Sequence, residues 1–157
     1  MNIHQIIFSP TGGTQRVSNL LCQAIGTVSE VTDLCVPTAH LRLPKINKAD
    51  LAVIAMPVFA GRVPALAVER LRKVDAQGAK CVVVAVFGNR AYDDALLEMQ
   101  DVASEIGFRV IAAVAAVAEH SIIRKYGKGR RICLRERRHP HVSARRGTLG
   151  GQHHHAG

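Results

Sequence analysis

Three hydroxyl side chains and two glycines are clustered near the amino terminus, in the stretch "SPTGGT". The hydroxyls belong to Ser9, Thr11 and Thr14, and Gly12 and Gly13 lie between them. Hydroxyls and the free amides at a helix amino terminus can bind a phosphate without a lysine, and glycine lets the backbone come close. The stretch therefore predicts a phosphate-binding loop. The alternative is an ordinary turn that caps a helix.

This loop does not match the common nucleotide-binding motifs. Gln15 and Arg16 stand where a Walker lysine would be, and the chain contains no G-x-G-x-x-G. Binding of a nucleoside triphosphate, or of a dinucleotide in the Rossmann manner, is therefore disfavoured.

Two further stretches each place one aromatic side chain after an apolar run. "MPVFAGRVP" carries Phe59 and Gly61, and "FGNRAYDD" carries Gly88, Asn89 and Tyr92. The chain has only four Phe, two Tyr and no Trp, so one aromatic residue in each of these stretches is informative. A flat ring could stack on these side chains and accept hydrogen bonds from loop amides. Taken singly, each aromatic residue also fits a core or helix-covering position.

The elements that must position these loops are visible in the hydrophobic pattern. Apolar runs predict strands at residues 6–8, 29–36, 51–59, 81–87 and 110–118. The last three runs are continuous rather than alternating, as is typical of parallel strands covered by helices on both faces.

Helical periodicity fills the gaps between these strands. The first helix has a predicted apolar face and a glycine, Gly26, at its end; that face comprises Val17, Leu20, Leu21, Ala24 and Ile25. A second helix follows Pro64, and a third ends at Gly107. Alternating strands and helices predict a doubly wound α/β fold, in which ligands bind beyond the carboxyl ends of the strands.

The charge divides the chain into two regions. The formal net charge is +9, but residues 1–123 carry 11 basic and 11 acidic residues, whereas residues 124–157 carry ten basic residues and one acid, Glu136. We interpret 1–123 as the folded domain and 124–157 as a basic, disordered tail. A change of reading frame after about Gly129 would produce the abrupt change of composition. The alternative function for the tail is binding of nucleic acid.

The cysteines and the apolar runs exclude several other classes of protein. Cys22, Cys35, Cys81 and Cys133 are far apart and form no C-x-x-C pair, so we predict reduced thiols and no metal site. The longest apolar run, residues 110–118, is far shorter than the roughly 20 residues of a membrane span. We therefore expect a cytoplasmic protein without a membrane partner.

Taken together, the three loops resemble those of flavodoxins, and more closely the flavodoxin-like half of bacterial fused flavodoxin/ferredoxin (4Fe-4S) proteins. The resemblance covers about residues 1–127, and the ferredoxin half is absent. It implies a flavodoxin-like, five-stranded parallel sheet in the order 2-1-3-4-5, with the last helix missing or replaced by an irregular tail. Loss of that helix would uncover part of one sheet face, which makes a homo-oligomer an expectation.

The resemblance implies FMN as the cofactor and electron transport as the role. It implies no catalytic residue, and Gly61 would allow a peptide flip of the kind that flavodoxins use. The implied partners are a flavin reductase and a redox protein such as a ferredoxin. A further expectation is an oxidoreductase activity, in which the protein reduces quinones or small acceptors with FMN as its cofactor. The alternative is a non-catalytic flavodoxin-fold protein whose basic tail binds nucleic acid or an acidic partner. The implied cofactor-binding residues are Ser9, Thr11, Gly12, Gly13, Thr14, Pro57, Val58, Phe59, Ala60, Gly61, Gly88, Asn89, Arg90 and Tyr92.

Overall fold

The computed structural model describes residues 1–88 and 94–118 in full, and the backbone of residues 133–137. These residues form six strands, three α-helices and a short 3-10 helix (Thr38–His40) between the second and third strands. In chain order the elements are β1 (Ile3–Ile7), α1 (Gly13–Ile25), β2 (Val28–Asp33), β3 (Leu51–Pro57), α2 (Ala65–Leu71), β4 (Lys80–Phe87), α3 (Ala95–Glu105), β5 (Arg109–Val117) and β6 (Cys133–Arg137).

The first five strands form a parallel sheet in the order β2-β1-β3-β4-β5. Strand β1 lies between β2 and β3, with Ile6 opposite Thr32 on one side and Ile54 on the other. The predicted fold class and strand order are confirmed. Strand β1 begins at Ile3, earlier than predicted. The apolar pattern missed its first residues because His4 and Gln5 are polar, although both are buried in the sheet.

The sixth strand differs from the irregular tail that the composition predicts. β6 pairs with β5 in the antiparallel direction, from Val117 opposite Cys133 to Ala113 opposite Arg137. An edge strand needs only backbone pairing and commonly carries charged residues, so "CLRER" has no apolar run that would reveal it. The rest of the predicted tail, residues 124–132 and 138–157, lies outside the described residues, and the boundary at residue 123 stays a prediction.

The central strands supply two separate cores, one on each face of the sheet. Ala52, Ile54 and Met56 of β3 pack in the cluster that contains α2 and α3 residues. Val53 and Ala55 of the same strand pack in the cluster that contains α1 residues. Because both faces are covered, every position of such a strand is apolar, which explains the continuous runs in the sequence.

Helix α1 ends before Gly26, as predicted, but its buried face differs in part from the predicted one. Leu20 and Ile25 are 51% and 39% exposed, whereas the buried residues of the helix are Thr14, Val17, Ser18 and Cys22. The polar residue Ser18 can face inward because its hydroxyl accepts a 2.8 Å hydrogen bond from the buried side chain of Gln5. Hydrophobic periodicity was therefore right for Val17, which is buried, and for the partly buried Leu21, but wrong for Leu20 and Ile25.

Two further features can be stated for the described residues. Cys22, Cys35 and Cys81 are free thiols, and the first and last of these are buried. No helix within residues 1–88 and 94–118 is long and apolar enough to cross a membrane.

Candidate functional site

The carboxyl ends of β1, β3 and β4 lie side by side, because these strands are neighbours in the sheet. The Phe8 N–H donates to the Ala55 carbonyl (3.0 Å), and the Val58 N–H donates to the Val86 carbonyl (2.8 Å). The sheet bonding thus continues into the start of the first two loops. The three loops predicted to bind a ligand all leave this end of the sheet, which we call the carboxyl end; the opposite side is the amino end.

The first loop leads directly from β1 into α1. Gly12 has a φ of 82°, in the left-handed region that glycine adopts without strain, and its N–H donates to the Ser9 carbonyl (3.3 Å). The Ser9 hydroxyl accepts a 2.9 Å hydrogen bond from the Gln15 N–H in the first turn of α1. Ser9 therefore satisfies one amide at the helix start, although Gly12 is the residue that directly precedes the helix.

Two other amides at the start of α1 are open. Within residues 1–88 and 94–118, the N–H groups of Gly13 and Thr14 have no hydrogen-bond acceptor. They lie at the positive end of the helix dipole, where an anion is stabilised. Thr11 is exposed and Ser9 is half-buried, whereas Thr14 is only 4% exposed. The loop can thus offer backbone amides together with the hydroxyls of Thr11 and Ser9, while Thr14 contributes chiefly through its amide.

Cys35 and Arg70 support this loop, and the sequence reasoning missed both. The Cys35 Sγ accepts a hydrogen bond from the Ser9 N–H (3.1 Å), and the Arg70 guanidinium donates to the Leu34 carbonyl at the end of β2. Arg70 is only 8% exposed, and its Nε has no hydrogen-bond partner in the described part of the chain. Burial raises the pKa of the Cys35 thiol, and the Ser9 N–H and the Arg70 charge oppose that rise. A buried positive charge is therefore close to the base of the loop.

The second loop is a tight two-residue turn. The N–H and carbonyl of Phe59 pair with the carbonyl and N–H of Arg62, at 2.9 and 3.1 Å. The two central residues, Ala60 and Gly61, have φ values of 51° and 81°, which is the signature of a type I′ turn. The turn exposes Phe59 (44%) and follows the buried Pro57 and half-buried Val58. It therefore presents an aromatic side chain at the carboxyl end of the sheet.

An ion pair connects this turn to α3. The Arg62 guanidinium donates two hydrogen bonds to the Glu98 carboxylate, at 2.9 and 3.2 Å, and the Val63 N–H contributes a third at 3.4 Å. The hydrogen bond from Arg62 holds the pKa of Glu98 below its usual value. Sequence reasoning missed this pair, because its members are 36 residues apart and belong to different predicted elements.

The third loop is described only at its two ends. Gly88 follows β4 and is half-buried, and Asp94 lies at the start of α3. The predicted binding residues Asn89, Arg90 and Tyr92 lie outside the described residues. The structure thus brings together the predicted residues of the first two loops and Gly88.

Metal binding has no support in the described residues. Within residues 1–88 and 94–118 there is no group of three or more His, Cys, Asp or Glu side chains that could hold an ion. The histidines of the tail lie outside these residues.

Comparison with known proteins identifies the fold. A scan against protein-family models finds no match, and a search of curated proteins finds no similar sequence. Among solved structures, a flavodoxin of Streptococcus pneumoniae TIGR4 superposes with a TM-score of 0.51 at 19% identity, over 74% of this chain and 83% of that chain. A flavodoxin from the domain Archaea gives a TM-score of 0.50 at 14% identity, over 71% and 78%. The chain therefore has the flavodoxin-like fold.

A third neighbour is larger. The Flv1 flavodiiron core from Synechocystis sp. PCC6803 superposes with a TM-score of 0.48 at 15% identity, over 70% of this chain. This chain covers only 28% of that protein.

Proposed function

We propose that this chain is an FMN-binding electron-transfer flavoprotein. One observation carries the proposal: a helix start with two open amides and a turn that exposes an aromatic ring lie on neighbouring strands at the same end of the sheet. FMN combines a phosphate and a planar ring, and these are the two groups that such loops suit. The flavodoxin-like fold, shared with two proteins described as flavodoxins, supports the same ligand.

The first loop would hold the phosphate. The open amides of Gly13 and Thr14 would donate to its oxygens, and the exposed Thr11 hydroxyl would add a charge-assisted bond. The Ser9 hydroxyl accepts from Gln15 and can still donate its own proton. The buried charge of Arg70 adds attraction for an anion at the base of the loop.

The second loop would hold one side of the ring. Phe59 offers a stacking surface, and the peptides of Ala60 and Gly61 lie beside it in the turn. Gly88, and the predicted Asn89, Arg90 and Tyr92, would contribute from the third loop. When bound, FMN supplies the redox chemistry, and the protein tunes it through stacking, hydrogen bonds and nearby charge.

The electron-transfer role extends to partners that the fold alone does not specify. We propose that electrons pass between a flavin reductase and a redox protein such as a ferredoxin, in the cytoplasm. Reductase activity on quinones or small acceptors, and association of two copies, are secondary proposals of the same kind.

Direct titration of the purified full chain with flavins tests the proposal. The fluorescence of FMN should be quenched when the flavin binds to the protein. Riboflavin should bind more weakly because it lacks the phosphate. Equal affinity for the two ligands would remove the phosphate site from the proposal. A chain that binds neither ligand would overturn the flavoprotein function.

A second candidate function rests on the position of the charge. The ten basic residues of segment 124–157 oppose one acid, and this segment follows a domain in which the charges balance. A non-catalytic protein that binds nucleic acid or an acidic partner through this segment would show strongly salt-dependent retention on single-stranded DNA. Such a protein would fail the flavin titration, which separates the two candidates.

A further inference from the structure

The turn from Phe59 to Arg62 has a residue that type I′ turns seldom contain. The first central residue is Ala60, with a φ of 51°, a region that costs an L-amino acid roughly 1 kcal/mol. Asn, Asp or Gly normally occupies this position, because their steric cost there is lower. The strain is maintained by the surrounding structure, since hydrogen bonds between Phe59 and Arg62 close the turn on both sides.

Ala60 also determines which other conformations the turn can reach. Inverting the central peptide of a type I′ turn gives a type II′ turn, which places the first central residue in a region that essentially only glycine occupies. Gly61, at the second central position, has no such restriction. The side chain of Ala60 therefore opposes a flip of the Ala60–Gly61 peptide, although Gly61 alone would permit it.

The ion pair to α3 fixes the same turn from outside. Glu98 binds both the Arg62 guanidinium and the Val63 N–H, so it holds the last residue of the turn and the residue that follows. Arg62 is exposed, so the pair contributes little to global stability. Its effect is local, because it restricts the segment that carries Phe59.

We propose that the turn Phe59–Arg62 is locked in one peptide orientation, and that Ala60 and Glu98 are the positioning residues that lock it. This inference rests on the proposed flavin site, for which the turn is one wall. A locked wall is already arranged for the ring in the empty protein, so binding does not spend free energy on ordering it. The turn then presents the same backbone groups whether the site is empty or occupied by the ring.

The chain contains a matched control for this proposal. Gln77 and Gly78 have φ values of 50° and 72°, and the Ala79 N–H donates to the Ala76 carbonyl (2.8 Å). This second turn has the same pattern of one non-glycine residue followed by glycine, but it precedes β4 at the amino end of the sheet. Gln77→Gly therefore makes the same stereochemical change as Ala60→Gly, far from the candidate site.

The experiments use NMR on the flavin-free full chain. Type I′ and type II′ turns both keep the hydrogen bond from the Arg62 N–H to the Phe59 carbonyl, so the flip is followed by the nuclear Overhauser effect between the Hα of residue 60 and the Gly61 N–H. This effect should be weak in the wild type and at least about twofold stronger in Ala60→Gly, because the type II′ turn brings the two protons closer.

Loosening of the whole turn is followed by amide hydrogen exchange, and we expect protected amides at Phe59 and Arg62 in the wild type. Glu98→Gln should accelerate exchange at the same two amides, and the charge-reversed pair Arg62→Glu with Glu98→Arg should restore part of the protection. Gln77→Gly should leave both amides unchanged.

Flavin titration connects the lock to binding. Ala60→Gly and Glu98→Gln should weaken FMN and riboflavin by the same factor, about three- to tenfold, because the ordering cost concerns the ring and not the phosphate. An unchanged Overhauser effect in Ala60→Gly, or unchanged exchange at Phe59 and Arg62 in Glu98→Gln, would overturn the lock. A turn that flips or exchanges faster with unchanged affinity for both flavins would overturn its role in binding. If the wild type binds no flavin, the proposed function fails, and the NMR measurements still decide whether the turn is locked.

Discussion

The two ends of the sheet use polar groups in opposite ways. At the carboxyl end, the amides of Gly13 and Thr14 have no acceptor in the described residues, and Phe59 is exposed. At the amino end, the buried Asp50 carboxylate accepts hydrogen bonds from the N–H groups of Asn2 (2.8 Å) and Asn47 (3.0 Å). The Asp50 carboxylate is thus satisfied internally at one end, whereas two amides at the other end are open within the described residues.

His4 extends this polar cluster at the amino end. Its imidazole is buried, with Nε2 3.4 Å from the Asp50 carboxylate and Nδ1 3.3 Å from the Glu30 carboxylate, although Nδ1 makes no hydrogen bond within the described residues. This cluster joins β1 to β2 and to the residue before β3. Buried titratable groups alone therefore do not identify a ligand site in this fold. Open donors at the carboxyl ends of the strands do so better, because no group of the described residues accepts a hydrogen bond from them.

The largest effect on folding is expected from Asp50→Asn, at the amino end. The N–H groups of Asn2 and Asn47 lower the pKa of the Asp50 carboxyl from 3.8 to about 2. A pKa that is lower in the folded state means that ionised Asp50 stabilises the fold above about pH 4, and that this stabilisation is lost as the pH falls towards 2. Asp50→Asn should unfold at a lower denaturant concentration at neutral pH and should lose this acid sensitivity.

Denaturant unfolding at several pH values measures this effect, and the exposed Asp101→Asn in α3 is the control. FMN affinity at neutral pH should be unchanged in Asp50→Asn, because the carboxylate serves the fold and not the site. A variant with wild-type acid sensitivity would show that Asp50 is not the group responsible. A large loss of FMN affinity in a folded variant would show that the two ends are not independent.

The largest effect on binding is expected from the double substitution Thr11→Val and Thr14→Val. Valine keeps the shape of threonine and removes the hydroxyl, which matters at the buried Thr14. Each hydrogen bond to a charged phosphate contributes about 1.5–3 kcal/mol, so FMN should bind at least about tenfold more weakly even if only one of the two hydroxyls contacts it. Riboflavin affinity should change little. Fluorescence titration measures both constants.

The matched control for this pair is Thr27→Val, an exposed threonine before β2 at the amino end. It should change neither affinity. An equal loss of FMN and riboflavin in the double variant would mean that the hydroxyls hold the loop and not the phosphate, which would return "SPTGGT" to the role of a helix cap.

A smaller effect is expected from Phe59→Ala. Aromatic stacking contributes about 0.5–1.5 kcal/mol beyond burial, so FMN and riboflavin should both weaken by roughly two- to tenfold. Ile111→Ala removes a side chain of similar exposure (51%) from the amino half of β5 and should leave both affinities unchanged. Loss of FMN alone would contradict the assignment of Phe59 to the ring.

The sequence predicted β3 and β4 most clearly, because both are buried on both faces and form continuous apolar runs. Strand β2 is mostly exposed and was predicted from a shorter run. The sequence also predicted the positions of the first two loops, since strand ends and glycines are local features. It could not reveal Arg70, Glu98 or Cys35, because their partners lie 26 to 36 residues away in sequence. Strand β6 escaped for the same reason: its partner is the backbone of β5.

The smallest effects, and the sharpest contrast, are expected from Gly12→Ala and Gly13→Ala. Apart from its chain neighbours and the backbone of α1, a Cβ added at either position meets no atom of the described residues within 4 Å. Gly12 has a φ of 82°, so alanine there should destabilise the protein by about 1 kcal/mol. Gly13 is the first residue of α1, so alanine there should be neutral or stabilise the protein by up to about 0.5–1 kcal/mol. A phosphate against the Gly13 amide would leave no room for the new methyl group, so Gly13→Ala should weaken FMN severalfold without loss of stability and should spare riboflavin. Because the new methyl group displaces no atom of the described residues, we attribute such a loss to contact with the ligand. Unchanged FMN affinity in Gly13→Ala would move the phosphate away from the start of α1, and the open amides there would then be ordinary solvated helix ends.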